Sequence, residues 1–204
     1  MKQKFYSAFW LKHLGVYYML VASFYFALNG ALAKVMAEHM SSAEIVFFRN
    51  VVGIAIVLFS LRRVKNLGPG GKPWLLAFRG FIGSCGILAT FYNIAHIDLG
   101  TAFTFQKTAP IFTALFSAFF LGEKLSSRGW FAILLGFGGI LLVVRPHIGI
   151  SVTDAVGIFG GMCAGLAYTS VRELRKHYAT NLIVLVFVSS ATFLSAMMMA
   201  AGWA

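Results

Sequence analysis

The chain has 204 residues, of which 59% are hydrophobic and only 11% charged, and its mean hydropathy is +0.82. Soluble domains carry about 45–50% apolar and about 25% charged residues, so this composition excludes them and points to an integral membrane protein. The net charge of +11 comes from 17 Lys and Arg against 6 Asp and Glu; it falls in short clusters between apolar runs, as in cytoplasmic loops, and argues against a nucleic-acid partner.

Runs of about 17–25 apolar residues mark membrane helices. The first runs over Leu14–Ala33. Lys2, Lys4 and Lys12 before it and Ala31-Leu32-Ala33 at its end resemble a signal peptide. The run is longer than a usual signal core and six more spans follow, so it reads as a retained first helix. The second, Ile45–Leu61, is opened by a capping box, Ser41-Ser42-Ala43-Glu44. The third is Trp74–Ile94, with Pro73 suited to its first turn. The fourth is Leu99–Leu121, in which Pro110 is able to distort the helix and free carbonyls. Ser126 or Ser127 caps the fifth, Gly129–Val144, and Asp154 the sixth, Ala155–Val171. The seventh is Leu182–Ala204. The expected fold is an all-α integral membrane protein with seven transmembrane helices.

The basic residues fix the expected orientation. Lys2, Lys4, Lys12, Arg62, Arg63, Lys65, Lys72, Lys124, Arg128, Arg172, Arg175 and Lys176 fall on one side; Lys34 and Arg145 fall on the other. The N-terminal segment, residues 1–13, is therefore expected in the cytoplasm, with the protein in the cytoplasmic (inner) membrane.

Motifs for catalysis are missing. Gly68-Pro69-Gly70-Gly71-Lys72 lacks the Walker spacing and runs into Pro73, so it does not support nucleotide binding. His13, His39, His96, His147 and His177 lie at span edges or in loops, where they read as solvated groups rather than metal ligands. Gly83-Ser84-Cys85-Gly86 offers a serine with no histidine inside a span to act as its base. Cys85 and Cys163 are mid-span and far apart in sequence, and read as small packed thiols. The seventh span has no lysine for a retinal Schiff base, and a cytoplasmic N-terminus is wrong for a seven-helix receptor. No enzyme activity, cofactor or metal is expected.

Small residues recur at helical spacing: Gly157, Gly161 and Gly165 on the sixth span, Gly83, Gly86 and Thr90 beside Arg79 and Asn93 on the third, and Ser23, Ala27 and Gly30 on the first. Such faces let backbones approach closely, which makes tight packing their first explanation and cavity lining the second. The sharper signal is basic. Arg49, Arg79 and Lys107 lie inside spans, where a charge costs at least ~2.5–3.5 kcal/mol near the membrane centre. Arg49 lies beside Asn50, and Lys107 between Gln106 and Thr108. Arg79 is nearer the cytoplasmic side, where its side chain could instead snorkel. No acidic residue lies deep in a span, so these groups would attract an anionic or zwitterionic ligand or be satisfied by backbone carbonyls.

Phe48-Arg49-Asn50, Arg79-Gly80, Thr108-Ala109-Pro110-Ile111-Phe112, Leu121-Gly122-Glu123-Lys124-Leu125, Gly136-Phe137-Gly138-Gly139 and Arg145-Pro146 follow in an order that resembles the EamA-like members of the drug/metabolite transporter superfamily. The resemblance covers essentially the whole chain, and the short loop after the fourth span is its most specific piece. It implies a ten-helix secondary transporter made of two five-helix repeats of inverted topology. On that pattern residues 14–146 form the first repeat and residues 147–204 the start of a second. A faint internal echo agrees: Ser23, Ala27, Lys34 and His39 match Gly161, Gly165, Arg172 and His177 at a constant offset.

The resemblance implies a permease moving a small metabolite by alternating access. The candidate substrate-binding residues are Arg49, Lys107, Asn29, Gln106, Thr108 and Arg79. About three helices of that pattern lie beyond Ala204, so the expectation includes a fragment of a longer carrier, a homodimer, or a chain that joins a missing C-terminal half. The alternative is a non-transporting remnant or a membrane subunit packed against a partner protein. Glu123 is expected to cap or pair at the cytoplasmic surface.

Overall fold

The computed structural model describes residues 2–62, 67–122, 126–144 and 151–202. Within them the regular structure is all helix: α1 (Lys2–Met36), α2 (Ser42–Leu61), α3 (Pro73–His96), α4 (Leu99–Gln106), α5 (Ala109–Leu121), α6 (Ser127–Val144), α7 (Val152–Leu174) and α8 (Thr180–Ala200). The expected spans are helical over these residues, except that the seventh gives way to a turn after Ala200, with two further corrections to their shape. α1 begins at Lys2 rather than Leu14. The fourth span is two helices, α4 and α5, broken at Lys107 and Thr108. Pro110 lies where the break falls: it has no N–H to give the Gln106 carbonyl, and its ring would strike that carbonyl.

The helix starts follow local chemistry. Ser41 and Glu44 form the expected capping box, and Pro73 occupies the first turn of α3. Gly129 N donates to Ser126 Oγ at 3.2 Å, which makes Ser126 the cap of α6. At α7 the cap is Ser151 rather than Asp154, which serves instead as the third-residue partner of a second capping box. The Cys85 and Cys163 thiols are free, and Cys163 is buried.

Among the described residues, four helices are long and apolar enough to cross a membrane by length and composition: Leu14–Met36, α2, α3 and α8. α4 and α5 fall short because the span is broken, and α7 is diluted by glycine, threonine and serine. The distribution of polarity is that of a membrane protein. Asn50, Ser84, Asn93 and Ser195 are buried, whereas Phe24, Phe59, Phe119 and Leu142 are exposed, which reverses the usual order in water.

α3 packs against α7, α8, α2, α4 and α1, while α5 lies on α7. Glycine makes the tightest of these contacts possible. Gly86 of α3 lies 3.3–3.4 Å, at its would-be Cβ, from Ala164 N, Cys163 Cβ and Gly160 O. On the other face of α7, Gly157, Gly161 and Gly165 receive Phe105, Thr108 and Phe112. The expected packing face of the sixth span is therefore occupied by the broken fourth.

Alternating helix directions give the molecule two ends. At one, Lys34 Nζ donates to Ala95 O (3.1 Å) and Ile97 O (2.8 Å), tying α1 to the end of α3 beside Asp98. At the other, the loop 67–72 lies on the α7–α8 turn. Gly70 N donates to His177 O at 3.0 Å and Ala179 N to Leu67 O at 2.9 Å. Lys72 reaches Glu173 at 2.7 Å, and Lys176 reaches the same carboxylate at 2.7 Å. Trp74 and Trp130, both exposed, begin α3 and α6 at this end, where an aromatic belt is expected to meet lipid headgroups.

Candidate functional site

Six helices surround a cavity of about 240 Å³. α1 contributes Phe26, Asn29 and Gly30; α2 contributes Arg49; α3 contributes Arg79, Thr90 and Phe91; α4 ends on it with Phe103 and Gln106; α7 and α8 close it with Tyr168 and Phe187. Of the six residues singled out from the sequence, Asn29, Arg49, Arg79 and Gln106 line this space together. Lys107 and Thr108 do not. Lys107 is exposed at the break after α4. Thr108 is buried against Gly161, with its hydroxyl donating to Phe105 O at 2.6 Å.

Arg49 lies with its guanidinium 5.0 Å from the centre of the Phe91 ring. It donates one long hydrogen bond, 3.4 Å, to Asn50 Oδ1. Arg79 does not snorkel to the surface. Its guanidinium is 4.7 Å from the centre of the Phe187 ring, and its buried Nε and Nη1 have no hydrogen-bond partner among the described residues. A buried donor left unpaired costs about 1–3 kcal/mol, and more when charged. Gly83, one turn further along α3, leaves the space that the Arg79 Nη1 fills. Stacking over an aromatic face recovers part of the lost hydration, about 2 kcal/mol or more for a desolvated cation.

Among the described residues, no carboxylate lines the cavity. Glu38, Glu44, Asp98, Asp154 and Glu173 all sit at helix ends or turns, and Glu123 and Arg145-Pro146 lie outside the described residues. Asp98 caps α4: the Thr101 backbone N–H and hydroxyl both donate to it and hold its carboxyl below the ordinary range. Glu173 is pulled down to about 2 by hydrogen bonds from Lys176 and then Lys72. Both acids are thus committed to the ends of the molecule, and the cavity is left with two cations, neutral amides and hydroxyls, and aromatic rings. That set can bind an anion and lacks a nucleophile–base pair.

Sequence reasoning did not find Phe91, Tyr168 or Phe187 as cavity residues. Aromatic side chains are ordinary in a membrane helix, and only the neighbouring guanidiniums single these out. It also left Gly68–Gly71 without a role, although this loop clasps the α7–α8 turn.

The family model described as the EamA-like transporter family matches residues 13–145. The chain belongs to that family. Curated relatives extend the likeness further along the chain. An uncharacterized transporter of Helicobacter pylori is 33% identical over 186 residues, covering 88% of this chain and 62% of that protein. The pseudopaline exporter CntI of Pseudomonas aeruginosa is 34% identical over 184 residues, 89% of this chain and 64% of that protein. Solute carrier family 35 member G1 of Mus musculus is 30% identical over 168 residues, 81% of this chain and 43% of that protein. This EamA-like chain thus spans less than two thirds of the length of the curated relatives it matches. No solved structure matches it.

Proposed function

We propose that this chain forms the larger part of a secondary-active permease that moves a small anionic or zwitterionic metabolite by alternating access. The cavity carries the reading. It gathers Asn29, Arg49, Arg79 and Gln106 from four helices around one space, with no acid among the described residues to neutralise the two guanidiniums. A buried charge without a protein partner is costly enough to be kept for a ligand. The membrane-transporter relatives, one an exporter, support the same class.

In this reading residues 14–146 are one repeat, and residues 147–204 begin a second of inverted topology. The two rock about the cavity. The α1–α2 and α7–α8 connections support that division. His39 N and Met40 N both bond Met36 O, and His177 N and Tyr178 N both bond Leu174 O, with the same spacing in each turn. The first turn lies at the Asp98 end of the molecule and the second at the Lys72 end. The basic Lys72 end faces the cytoplasm of the inner membrane. Lys107 and Thr108 serve at the break of the fourth span, where Thr108 anchors the bend and Lys107 awaits whatever covers that surface in the working carrier.

The test is metabolite movement in cells carrying the protein, compared with Arg49→Gln and Arg79→Gln at equal membrane content. The expected outcome is a solute that accumulates or is depleted with the wild type and not with either variant. Unchanged movement in both variants would remove the cavity from the mechanism, and no movement of any solute by the wild type would favour a non-transporting membrane subunit.

A further inference from the structure

Resting on the carrier reading, we propose that the cavity selects molecules with two separated carboxylates over zwitterions, with Arg79 gripping one carboxylate and Arg49 the other. The two arginines enter at different depths. Arg49 lies seven residues into α2 from the Asp98 end, and Arg79 six residues into α3 from the Lys72 end. At 1.5 Å per residue these are rises of roughly 10 Å and 9 Å from opposite ends, so the two backbone positions lie on either side of the middle of a span about 30 Å thick. An elongated dianion matches that spacing better than a compact monoanion.

Arg79 is the stronger anchor. Its Nε and Nη1 are buried without an acceptor among the described residues, and its plane is fixed by Phe187 on one side and by the room that Gly83 leaves. A carboxylate offers a guanidinium two acceptors in one plane, the geometry of a paired hydrogen bond. Arg49 is held more loosely, by the Phe91 ring and one long bond to Asn50.

An ammonium group meets a poor reception here. No carboxylate lines the cavity among the described residues, and two of its rings, Phe91 and Phe187, already carry a guanidinium. The remaining polar groups, Asn29, Thr90, Gln106 and Tyr168, are neutral. A zwitterion would therefore bring its positive end beside two like charges in a medium that screens them poorly.

Adipate, hexanoate and 6-aminohexanoate share one carbon backbone and end in two carboxylates, one carboxylate, or a carboxylate and an ammonium. Calorimetric titration of the full chain in lipid nanodiscs with these three separates the possibilities. Adipate is expected to bind about tenfold or more tightly than hexanoate, and 6-aminohexanoate more weakly than hexanoate. Arg79→Gln and Arg49→Gln each bring adipate to the hexanoate level. Arg79→Lys, which keeps the charge and loses the fork, recovers only part of the difference.

Equal affinity for adipate and 6-aminohexanoate overturns the charge selection and leaves the carrier reading standing, since that reading accepts either class. Unchanged adipate binding in Arg79→Gln removes Arg79 as an anchor. Failure of all three to bind the wild type, with its helical circular dichroism intact, overturns the proposal. The carrier reading fails separately, if the wild type moves no solute in cells.

Discussion

Gly83 and Gly161 look alike in the sequence, yet one makes room for a charge and the other for a neighbouring helix. A side chain at position 161 would overlap Thr108 and Phe112, on which the bend of the fourth span rests. Gly161→Leu should therefore destabilise the protein, by about 1–3 kcal/mol for overpacking, read as thermal unfolding in detergent. Gly138→Ala, inside α6 and meeting nothing within 4 Å, should instead raise the unfolding temperature slightly, since alanine favours the helix over glycine by about 0.5–1 kcal/mol. The depth of Arg49, Arg79 and Lys107 was legible from their distance to span ends. Their direction was not. Arg79 could have snorkelled by length alone, and only Gly83 and Phe187 hold it inward; Lys107 turns outward because the helix carrying it stops at Gln106.

Local rules did better for the helices, and failed where a partner is distant in sequence. The capping box at Ser41, the first-turn Pro73 and the disturbance at Pro110 are written in adjacent residues, so they could be read directly. The clasp formed by Gly68–Gly71 could not, because its partners lie more than a hundred residues away. Gly68 has φ +96°, and a methyl there would also strike the His177 carbonyl. Gly68→Ala should cost about 1–2 kcal/mol for the backbone conformation alone and expose the loop to limited proteolysis between residues 67 and 72. Pro110→Ala tests the origin of the break. If the missing N–H alone causes it, the new amide at position 110 becomes protected from hydrogen exchange as α4 and α5 join. A rapidly exchanging amide there would assign the bend to the Thr108–Gly161 contact.

At the scale of the whole molecule each end holds a carboxylate below its ordinary range, Asp98 at one and Glu173 at the other. Glu173 binds its proton at about 2 in the folded chain, below its ordinary 4.5. A depressed carboxylate stabilises the fold fully above the unfolded value, and that contribution is lost as pH falls from about 4.5 through about 2. Glu173→Gln should accordingly lower the unfolding temperature at neutral pH, with the gap to wild type closing over that interval. A gap that stays constant down to pH 2 would mean that the carboxylate's charge adds nothing to the clasp.

The contact between Lys72 and Glu173 also joins residues 101 positions apart, and this separation sets an order on biogenesis. Ribosomes make α3 long before α7 and α8, so the Arg79 guanidinium and the buried side chains of Ser84 and Asn93 wait in the membrane without the helices that later enclose them. Contacts of such long sequence separation form late and expose their surfaces meanwhile. The growing chain thus passes through a stage in which the polar side chains of α3 lack the helices that later cover them. It needs a sheltering surface, from the insertion machinery or from its own α2, until the last two helices arrive.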